Sequence, residues 1–202
     1  MNGIKLKISK PKDKLPAGSS KLFGNPDVWD GFEWPHIEEN GEKYDLTFMC
    51  QIDCAKAEGF DESGLLPKTG ILYFFYDLDT MPEAPDEKSA RVLWYNGELS
   101  ALHEMILTDE DGNSLAFSEQ RINFDVADAD DKSAHLLLGD MTQSCDFINN
   151  RLPLLRIGSL ETEDAEIRFK DDGWLCFYIE KEKLGACDFS KVKAVQISCE
   201  ER

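Results

Sequence analysis

The 202-residue chain lacks the features that identify several large protein classes. No apolar run approaches the roughly 18 residues that a membrane-spanning helix requires. The six cysteines show neither metal-ligand spacing nor a tight disulfide framework, and only three histidines, His36, His103 and His135, are present. The first residues alternate between apolar and polar, whereas a signal peptide needs a continuous apolar stretch. We therefore expect a cytoplasmic protein with reduced thiols that does not act at a membrane.

Short motifs of common catalytic and nucleotide-binding sites are also missing. The chain has no Gly-x-Ser-x-Gly, no phosphate loop ending in Lys and Ser or Thr, and no Gly-x-Gly-x-x-Gly. His103-Glu104 lacks the second His of a zinc-binding helix motif, because position 107 is Leu. The acidic runs Asp109 to Asp111 and Asp128 to Asp131 are interpreted as solvated turns, the first because it lacks the full EF-hand spacing. The sequence predicts no metal and no cofactor.

Positive charge is scarce and unevenly distributed. The chain has 22 Lys and Arg against 40 Asp and Glu, a formal net charge of −18 at pH 7. Residues 1–22 hold six Lys and one Asp, so this segment carries +5 and the remainder, with 16 basic and 39 acidic residues, carries −23. Such a body repels phosphate backbones and anionic lipid, so neither nucleic acid nor membrane is an expected partner. The acidic surface either keeps the protein solvated or steers its encounter with a basic protein.

The basic first segment contains an alternating pattern, in which Ile4, Leu6 and Ile8 are separated by lysines and a serine. This pattern predicts a strand. Lysines along an edge strand prevent pairing with other chains, so we interpret this segment as a protected sheet edge, with a docking face as the alternative.

Apolar and aromatic segments dominate the rest of the chain and predict a mainly β fold, borderline α+β, with antiparallel sheets and few short helices. The predicted strands are Leu46 to Asp53, Gly70 to Tyr76, Ala90 to Tyr95, Leu152 to Ile157, Trp174 to Glu180 and Val192 to Ser198.

Turn and cap residues add four local predictions. Asn96-Gly97 predicts a type I′ hairpin, and Asp111-Gly112 predicts a second hairpin. Short helical turns are expected at Asp53 to Gly59, with Asp53 as the N-cap, and at Cys187 to Lys191.

The two halves of the chain contain similar segments. Gln51-Ile52-Asp53 and the strand beginning at Gly70 correspond to Arg156-Ile157-Gly158 and the strand beginning at Gly173. Upstream of these, residues 20–24 correspond to residues 135–139. We predict a single domain over residues 1–202 that consists of two fused, diverged repeats, approximately 1–124 and 125–202.

The order and spacing of several segments resemble the YwqG-like family of bacterial proteins. These segments are Ser20 to Pro26, Trp34-Pro35, Phe48 to Asp53, Leu66 to Gly70, Leu72 to Asp77, His135 to Gly139 and Asp188 to Gln196. The resemblance covers nearly the whole chain and implies a mainly antiparallel β domain with few helices. It implies no activity, because the family is itself of unknown function.

Four polar or aromatic residues are candidates for a binding site. Gln51 and Asp53 lie on the same face of their predicted strand, where they could meet Trp34 or His135 around a ligand. Structural alternatives exist for each: Asp53 caps a helix, Gln51 bonds backbone groups, and His135 bonds a carboxylate or carbonyl. Trp34 lies in an aromatic insert that either covers the core or forms a binding platform.

Two functional classes remain open. The first is a non-catalytic binding or interaction module that recognises a basic protein or a small ligand through its acidic surface or its aromatic insert. The second is a small-molecule hydrolase or isomerase that uses His135 with a carboxylate such as Asp53 as acid and base. The absence of catalytic motifs favours the first class.

Overall fold

A computed structural model describes residues 3–82, 87–127, 135–139 and 151–199 of the protein. The strands of the first part of the chain are β1 (Ile4–Ser9), β2 (Lys21–Leu22), β3 (Asp27–Val28), β4 (His36–Glu39), β5 (Glu42–Asp45), β6 (Thr47–Asp53), β7 (Ile71–Tyr76), β8 (Ala90–Tyr95) and β9 (His103–Glu104). They are followed by β10 (Gln120–Val126), β11 (Leu136–Leu137), β12 (Arg151–Gly158), β13 (Leu160–Glu161), β14 (Glu166–Ile167), β15 (Trp174–Glu180) and β16 (Lys193–Ile197).

Helices are few and short in the described residues. The α-helices are α1 (Cys54–Ala57) and α2 (Lys181–Gly185), and single 3-10 turns cover Glu58–Phe60, Leu99–Ala101 and Lys170–Asp172. None of the described helices has the length and apolar character needed to cross a bilayer. The mainly β prediction is therefore confirmed, as is the capped helix after Asp53. The helix predicted at Cys187 to Lys191 is wrong, because the helical turn α2 ends before it.

Ten strands form one antiparallel sheet in the order β16-β15-β12-β11-β1-β10-β2-β6-β7-β8. The two edge strands, β8 and β16, approach each other within 8 Å between Cα atoms, so the sheet is nearly closed. Gln196 and Lys193 of β16 reach across this seam. Gln196 Nε2 donates to the carbonyl oxygen of Met81 at 2.7 Å, and Lys193 Nζ lies 3.1 Å from Glu87 Oε1.

The main hydrophobic core fills the inside of the curved sheet, and both halves of the chain contribute to it. Phe74 of β7 and Phe177 of β15 meet there edge to face, with ring centroids 5.3 Å apart. A second, smaller core lies on the other face of β6, β7 and β8, where the insert after β3 covers it. Its buried members are Leu46, Phe48, Ile71, Tyr73, Phe75 and Leu102. The sheet is thus covered on both faces in this half, which explains why all six residues of β7 are buried.

The strand order is symmetric about the central pair β1 and β10. On one side lie β2, β6, β7 and β8, and on the other lie β11, β12, β15 and β16 in the corresponding order. Lys7 of β1 pairs with Asn123 of β10 at the centre. β1 pairs with β11 of the later strands, and β10 pairs with β2 of the earlier ones. β1 therefore lies beside a strand from the second half of the chain, and β10 lies beside a strand from the first half. The repeat boundary that we predicted at residue 124 falls within β10.

Local irregularities also match between the two sides of the sheet. A bulge interrupts β6 between Phe48 and Cys50, and another interrupts β12 between Pro153 and Leu155. Gly70 and Gly173 precede corresponding strands, and an added Cβ would lie 2.2 Å and 1.8 Å from the carbonyl oxygens of Tyr95 and Ile197. Because real Cβ atoms do not approach this closely, only glycine fits at either position.

Two further predictions are wrong. Asn96-Gly97 does not form a type I′ hairpin, because neither residue has the positive φ that this turn requires and β9 pairs with β3 instead. The lysine-rich first strand is not a sheet edge, since β1 lies between β10 and β11. Its lysines alternate with the buried Ile4 and Leu6, and Lys7 pairs across the sheet with Asp125.

Candidate functional site

Gln51 lies in a fully buried network of hydrogen bonds beneath the insert. Its Nε2 donates to the carbonyl oxygen of Ser19 at 2.8 Å and to Asp27 Oδ2 at 2.7 Å. Its Oε1 accepts the backbone N–H of Asp27 at 2.9 Å. Tyr73, opposite Gln51 on β7, donates its hydroxyl to the carbonyl oxygen of Asp27. Gln51 therefore holds the start of the insert against the sheet.

A buried ion pair completes this network. Lys21 of β2 is only 2% exposed, and its Nζ lies 3.2 Å from Asp27 Oδ2 and 3.3 Å from Glu119 Oε2. Asp27 Oδ2 also accepts the N–H of Gly18 at 3.0 Å. A buried charge requires such partners, because an unpaired ion in the interior costs several kcal/mol. The tyrosine beneath this network has a raised pKa, because burial disfavours the Tyr73 phenolate.

Asp53 acts as a helix cap at the end of β6. Its Oδ1 accepts the N–H of Ala55 at 3.1 Å, and Lys56 Nζ lies 3.1 Å from its Oδ2. Its own N–H donates to Ser20 Oγ at 2.8 Å. Both carboxylate oxygens are thus engaged by neighbouring groups.

Trp34 belongs to an aromatic layer over the second core. Its Nε1 donates to the carbonyl oxygen of Leu46 at 2.8 Å, and its ring meets Phe75 edge to face at 5.3 Å. Phe32 lies between Trp34 and Trp29, and Trp29 stacks on Tyr95 at 4.9 Å. The insert accordingly forms a cover over the sheet at this place.

His135 lies next to β11, and the central strands β1 and β10 separate it from Gln51 and Asp53 on β6. Its Nδ1 accepts the N–H of Gly158 at 3.3 Å, so the neutral ring carries its proton on Nε2. Burial and the nearby charge of Arg156 lower the pKa of His135 from 6.5 to about 4. The imidazole is therefore neutral at pH 7.

The structure does not bring the four candidate residues together. Gln51 and Asp53 are neighbours on β6, but Trp34 lies on the outer aromatic layer, and two strands, β1 and β10, separate β11 beside His135 from β2 beside Asp53. No hydrogen bond or ion pair within the described ranges joins His135 to Asp53.

A groove is open beside Asp53, where β2 is too short to cover β10. We call it the β10 groove; its volume is about 450 Å³. Its lining residues are Ser19, Ser20, Lys56, Phe60, Arg121, Ile122, Asn123 and Phe124.

A hairpin, residues 105–117, follows β9; we call it the arm. Leu115 N–H donates to the carbonyl oxygen of Leu107 at 3.0 Å, and Gly112 has a φ of +83° at the tip. This agrees with the hairpin predicted from Asp111-Gly112. All residues from 108 to 115 are exposed.

Metal ligation finds no support in the described part of the chain, where no three His, Cys, Asp or Glu side chains converge. The acidic run Asp128 to Asp131 lies outside that part. Cys50, Cys54 and Cys176 are buried free thiols. Burial raises the pKa of Cys54 to about 12, so this thiol is not a nucleophile at neutral pH.

Residues 20–146 match the family described as a domain of unknown function, DUF1963. The chain belongs to this family. The matched residues of the DUF1963 domain include Gln51, Asp53, Trp34 and His135, together with most of the lining of the β10 groove. No curated protein matches the chain.

Sequence reasoning missed two features of this DUF1963 protein. Lys21 was counted only as part of the basic first segment, although its side chain is buried; no local pattern marks it. Arg121 and its neighbours in β10 were not assigned to a strand. The alternation of Ile122, Phe124 and Val126 with polar residues was the available signal.

Proposed function

We propose that this protein is a non-catalytic interaction module that recognises a basic segment of a partner protein through the arm. The observation that carries this proposal is that the arm exposes two large apolar side chains next to an acidic tip. Ile106 is 63% exposed and Leu115 is 61% exposed, whereas the tip carries Asp109, Glu110 and Asp111. An apolar contact beside a carboxylate cluster complements a partner segment that alternates apolar and basic residues.

The acidic tip is held in a defined shape. Asp109 Oδ1 accepts the N–H groups of Asp111 and Asn113 at 3.0 and 2.8 Å, and Asp109 Oδ2 accepts Asn113 Nδ2 at 2.9 Å. The hydrogen bonds from Asn113 lower the pKa of Asp109, so its negative charge persists below neutral pH. A net charge of −18 adds long-range attraction for a basic partner.

The base of the arm is anchored to the body of the protein. Met105 N–H donates to the carbonyl oxygen of Pro26 at 2.9 Å, and Phe117 meets Phe23 edge to face at 5.3 Å. Lys14 Nζ lies 2.6 Å from Glu104 Oε2 in the strand before the arm. A rigid base reduces the conformational entropy that binding would remove, which favours affinity.

The hydrolase or isomerase alternative has less support. It requires His135 to exchange a proton with a carboxylate such as Asp53. The neutral imidazole already accepts a backbone N–H, and both oxygens of Asp53 are engaged with Ala55 and Lys56. No contact among the described residues favours this second class.

The test is binding of the purified protein to a peptide array in which the number of Lys and Arg residues varies while apolar content is constant. We expect binding to rise with basic residues and to weaken as salt increases, because salt screens exposed charges. The double variant Ile106→Ser, Leu115→Ser should lose the interaction.

Tyr44→Ser is the matched control, because Tyr44 is a large exposed side chain on the separate hairpin of β4 and β5. It should bind as the wild type does. The proposal would be contradicted if binding did not depend on the number of Lys and Arg residues in the peptide. It would also be contradicted if the double variant bound as tightly as the wild type.

Three further proposals concern classification. We propose that the chain is a YwqG-like member of its family, that it works in the cytoplasm, and that its halves arose by duplication. The symmetric strand order and the matching bulges support the duplication. Because β1 and β10 hold equivalent places, the boundary between the repeats then falls before Gln120 rather than at residue 124.

A further inference from the structure

The β10 groove is bounded by a sheet edge that no strand of the described residues covers. β2 pairs only with Gln120 and Arg121 of β10, although β10 continues to Val126. Ile122 N–H donates to the carbonyl oxygen of Ser20 at 3.1 Å, so it points toward the β2 side. Backbone groups two residues apart point the same way in a strand, so Phe124 also directs its N–H and C=O toward this side. No described residue pairs with them there.

Open backbone groups of this kind normally find a partner. Backbone N–H and C=O groups away from bulk water are almost always hydrogen-bonded, to protein, to water or to a ligand. Because no described residue accepts the N–H of Phe124, this group is available as a donor to a ligand at the floor of the groove.

Side chains around this floor are also mainly donors. Arg121 is half-buried, and its guanidinium forms no hydrogen bond or ion pair with the described residues. The hydroxyl of Ser20 accepts the N–H of Asp53, which leaves its proton to donate. Lys56 lies at the rim and keeps donors beyond the one directed at Asp53. The protein has a net charge of −18, so most of its surface charges are negative. A guanidinium without an ion-pair partner among the described residues therefore gives the groove a charge opposite to that of most of the surface.

The charges of the side chains around the groove indicate which type of anion would bind there. One guanidinium and one ammonium face the groove, and Asp53 offsets one of these charges, so the site supplies a single net positive charge. A dianion would keep an uncompensated negative charge, which the acidic body would repel. A monocarboxylate matches the site, because a guanidinium binds both carboxylate oxygens in a bidentate manner.

An apolar wall completes the groove. The rings of Phe60 and Phe124 lie 6.1 Å apart between centroids, and both are half-buried. A volume of about 450 Å³ lies within the range of small-molecule sites, which is about 300 to 1,000 Å³. The groove therefore has space for an apolar body attached to the carboxylate.

We propose that the β10 groove binds a small monocarboxylate that carries an apolar or aromatic body, with its carboxylate on Arg121 and the Phe124 N–H. The site lies on β10 and beside α1 and shares no lining residue with the arm, so this proposal and the proposed function can fail independently.

The test uses three probes with the same ring: phenylacetate, phenyl phosphate and benzyl alcohol. Each is titrated into the ¹⁵N-labelled full-length protein, and amide shifts are followed in two-dimensional NMR spectra. We expect phenylacetate to move the Phe124 and Ser20 amides most and to bind more tightly than the other two probes.

Substitutions then assign the contacts. Arg121→Ala should weaken phenylacetate binding by at least about tenfold, because a charged hydrogen-bonding partner is lost. Arg121→Lys should give an intermediate affinity, since an ammonium keeps the charge but not the bidentate geometry. Lys5→Ala is the matched control, because Lys5 in β1 holds the place that Arg121 holds in β10 and lies outside the groove.

Each contrary result overturns a stated part of the proposal. Equal or tighter binding of phenyl phosphate overturns the monocarboxylate assignment, and equal binding of benzyl alcohol overturns the role of charge. Absence of any phenylacetate shift at Phe124, or an equal loss of affinity in Lys5→Ala, overturns the site itself.

Discussion

Ser20 and His135 occupy matching positions beside the two bulged strands. Ser20 Oγ accepts the N–H of Asp53 at 2.8 Å, and His135 Nδ1 accepts the N–H of Gly158 at 3.3 Å. Their carbonyl oxygens also match, since they accept the N–H groups of Ile122 and Leu6, both at 3.1 Å. The hydroxyl of Ser20 thus accepts a backbone N–H in the first half of the chain, as the imidazole of His135 does in the second half. Acid–base chemistry is not needed for that contact, which supports a structural role for His135.

The first prediction concerns the pH dependence of stability. The pKa of His135 is about 4 in the folded protein and near 6.5 when unfolded, so the unfolded chain binds the extra proton between these values. The contribution of His135 to the free energy of unfolding is therefore constant above pH 6.5 and decreases as the pH falls toward 4. The decrease should not exceed about 1.4 kcal/mol per pH unit. Urea denaturation across this range measures it.

The matched variant for this prediction is His135→Ser, which copies the other half of the sheet. It keeps an acceptor for Gly158 and removes the titrating ring. The slope of stability against pH between 4 and 6.5 should become shallower than in the wild type. An unchanged slope would show that another group controls the acid dependence.

The second prediction concerns Gln51. Gln51→Leu keeps the volume of the side chain but removes its bonds to Ser19 and Asp27. Each buried polar group left without a partner costs about 1 to 3 kcal/mol. The free energy of unfolding should therefore fall by about 3 kcal/mol or more, measured by chemical denaturation.

Gln120→Leu provides the comparison for Gln51. Gln120 is half-buried and donates only to the carbonyl oxygen of Ser118, two residues away. Its substitution should change the free energy of unfolding by less than about 1 kcal/mol. Equal effects of the two substitutions would mean that the buried network does not stabilise the fold as we argue.

The third prediction separates the two roles of Asp53. Asp53→Asn keeps an acceptor for the N–H of Ala55 but removes the charge that holds Lys56. Because Asn caps helices about as well as Asp, the thermal midpoint should stay close to that of the wild type. Released Lys56 should increase the affinity for phenylacetate by about threefold, as expected for loss of an exposed ion pair.

Asp53→Ala tests the cap itself. It removes the acceptor for Ala55 and should lower the free energy of unfolding by about 1 kcal/mol. If Asp53→Asn destabilises the protein as much as Asp53→Ala does, the charge rather than the cap acceptor maintains this helix end.

Strand positions were predictable where the signal is local. The runs around Phe74, Phe177 and Ile157 are apolar and bounded by Gly or Pro, and each forms a strand as predicted. The cap at Asp53 was predictable for the same reason, because the capping bond spans only two residues.

The face on which a strand residue lies was not predictable where a long-range feature intervened. Regular alternation along a strand would put Cys50 on the same face as Phe48, two residues earlier. The bulge at Met49 adds one residue to the strand, so Phe48 packs in the second core and Cys50 in the main core. A bulge depends on the neighbouring strand and leaves no clear mark in the sequence.

The sequence by itself determined the composition of the fold: apolar strands, a capped helical turn and a strong excess of negative charge. These properties depend on residue type and on neighbours a few positions away. Only the tertiary structure decided that β1 is central, that Lys21 is buried beside Asp27, and that Arg121 lines the β10 groove. Strand pairing brings together residues about 100 positions apart, and the free energy of such contacts depends on register and burial, which no local pattern encodes.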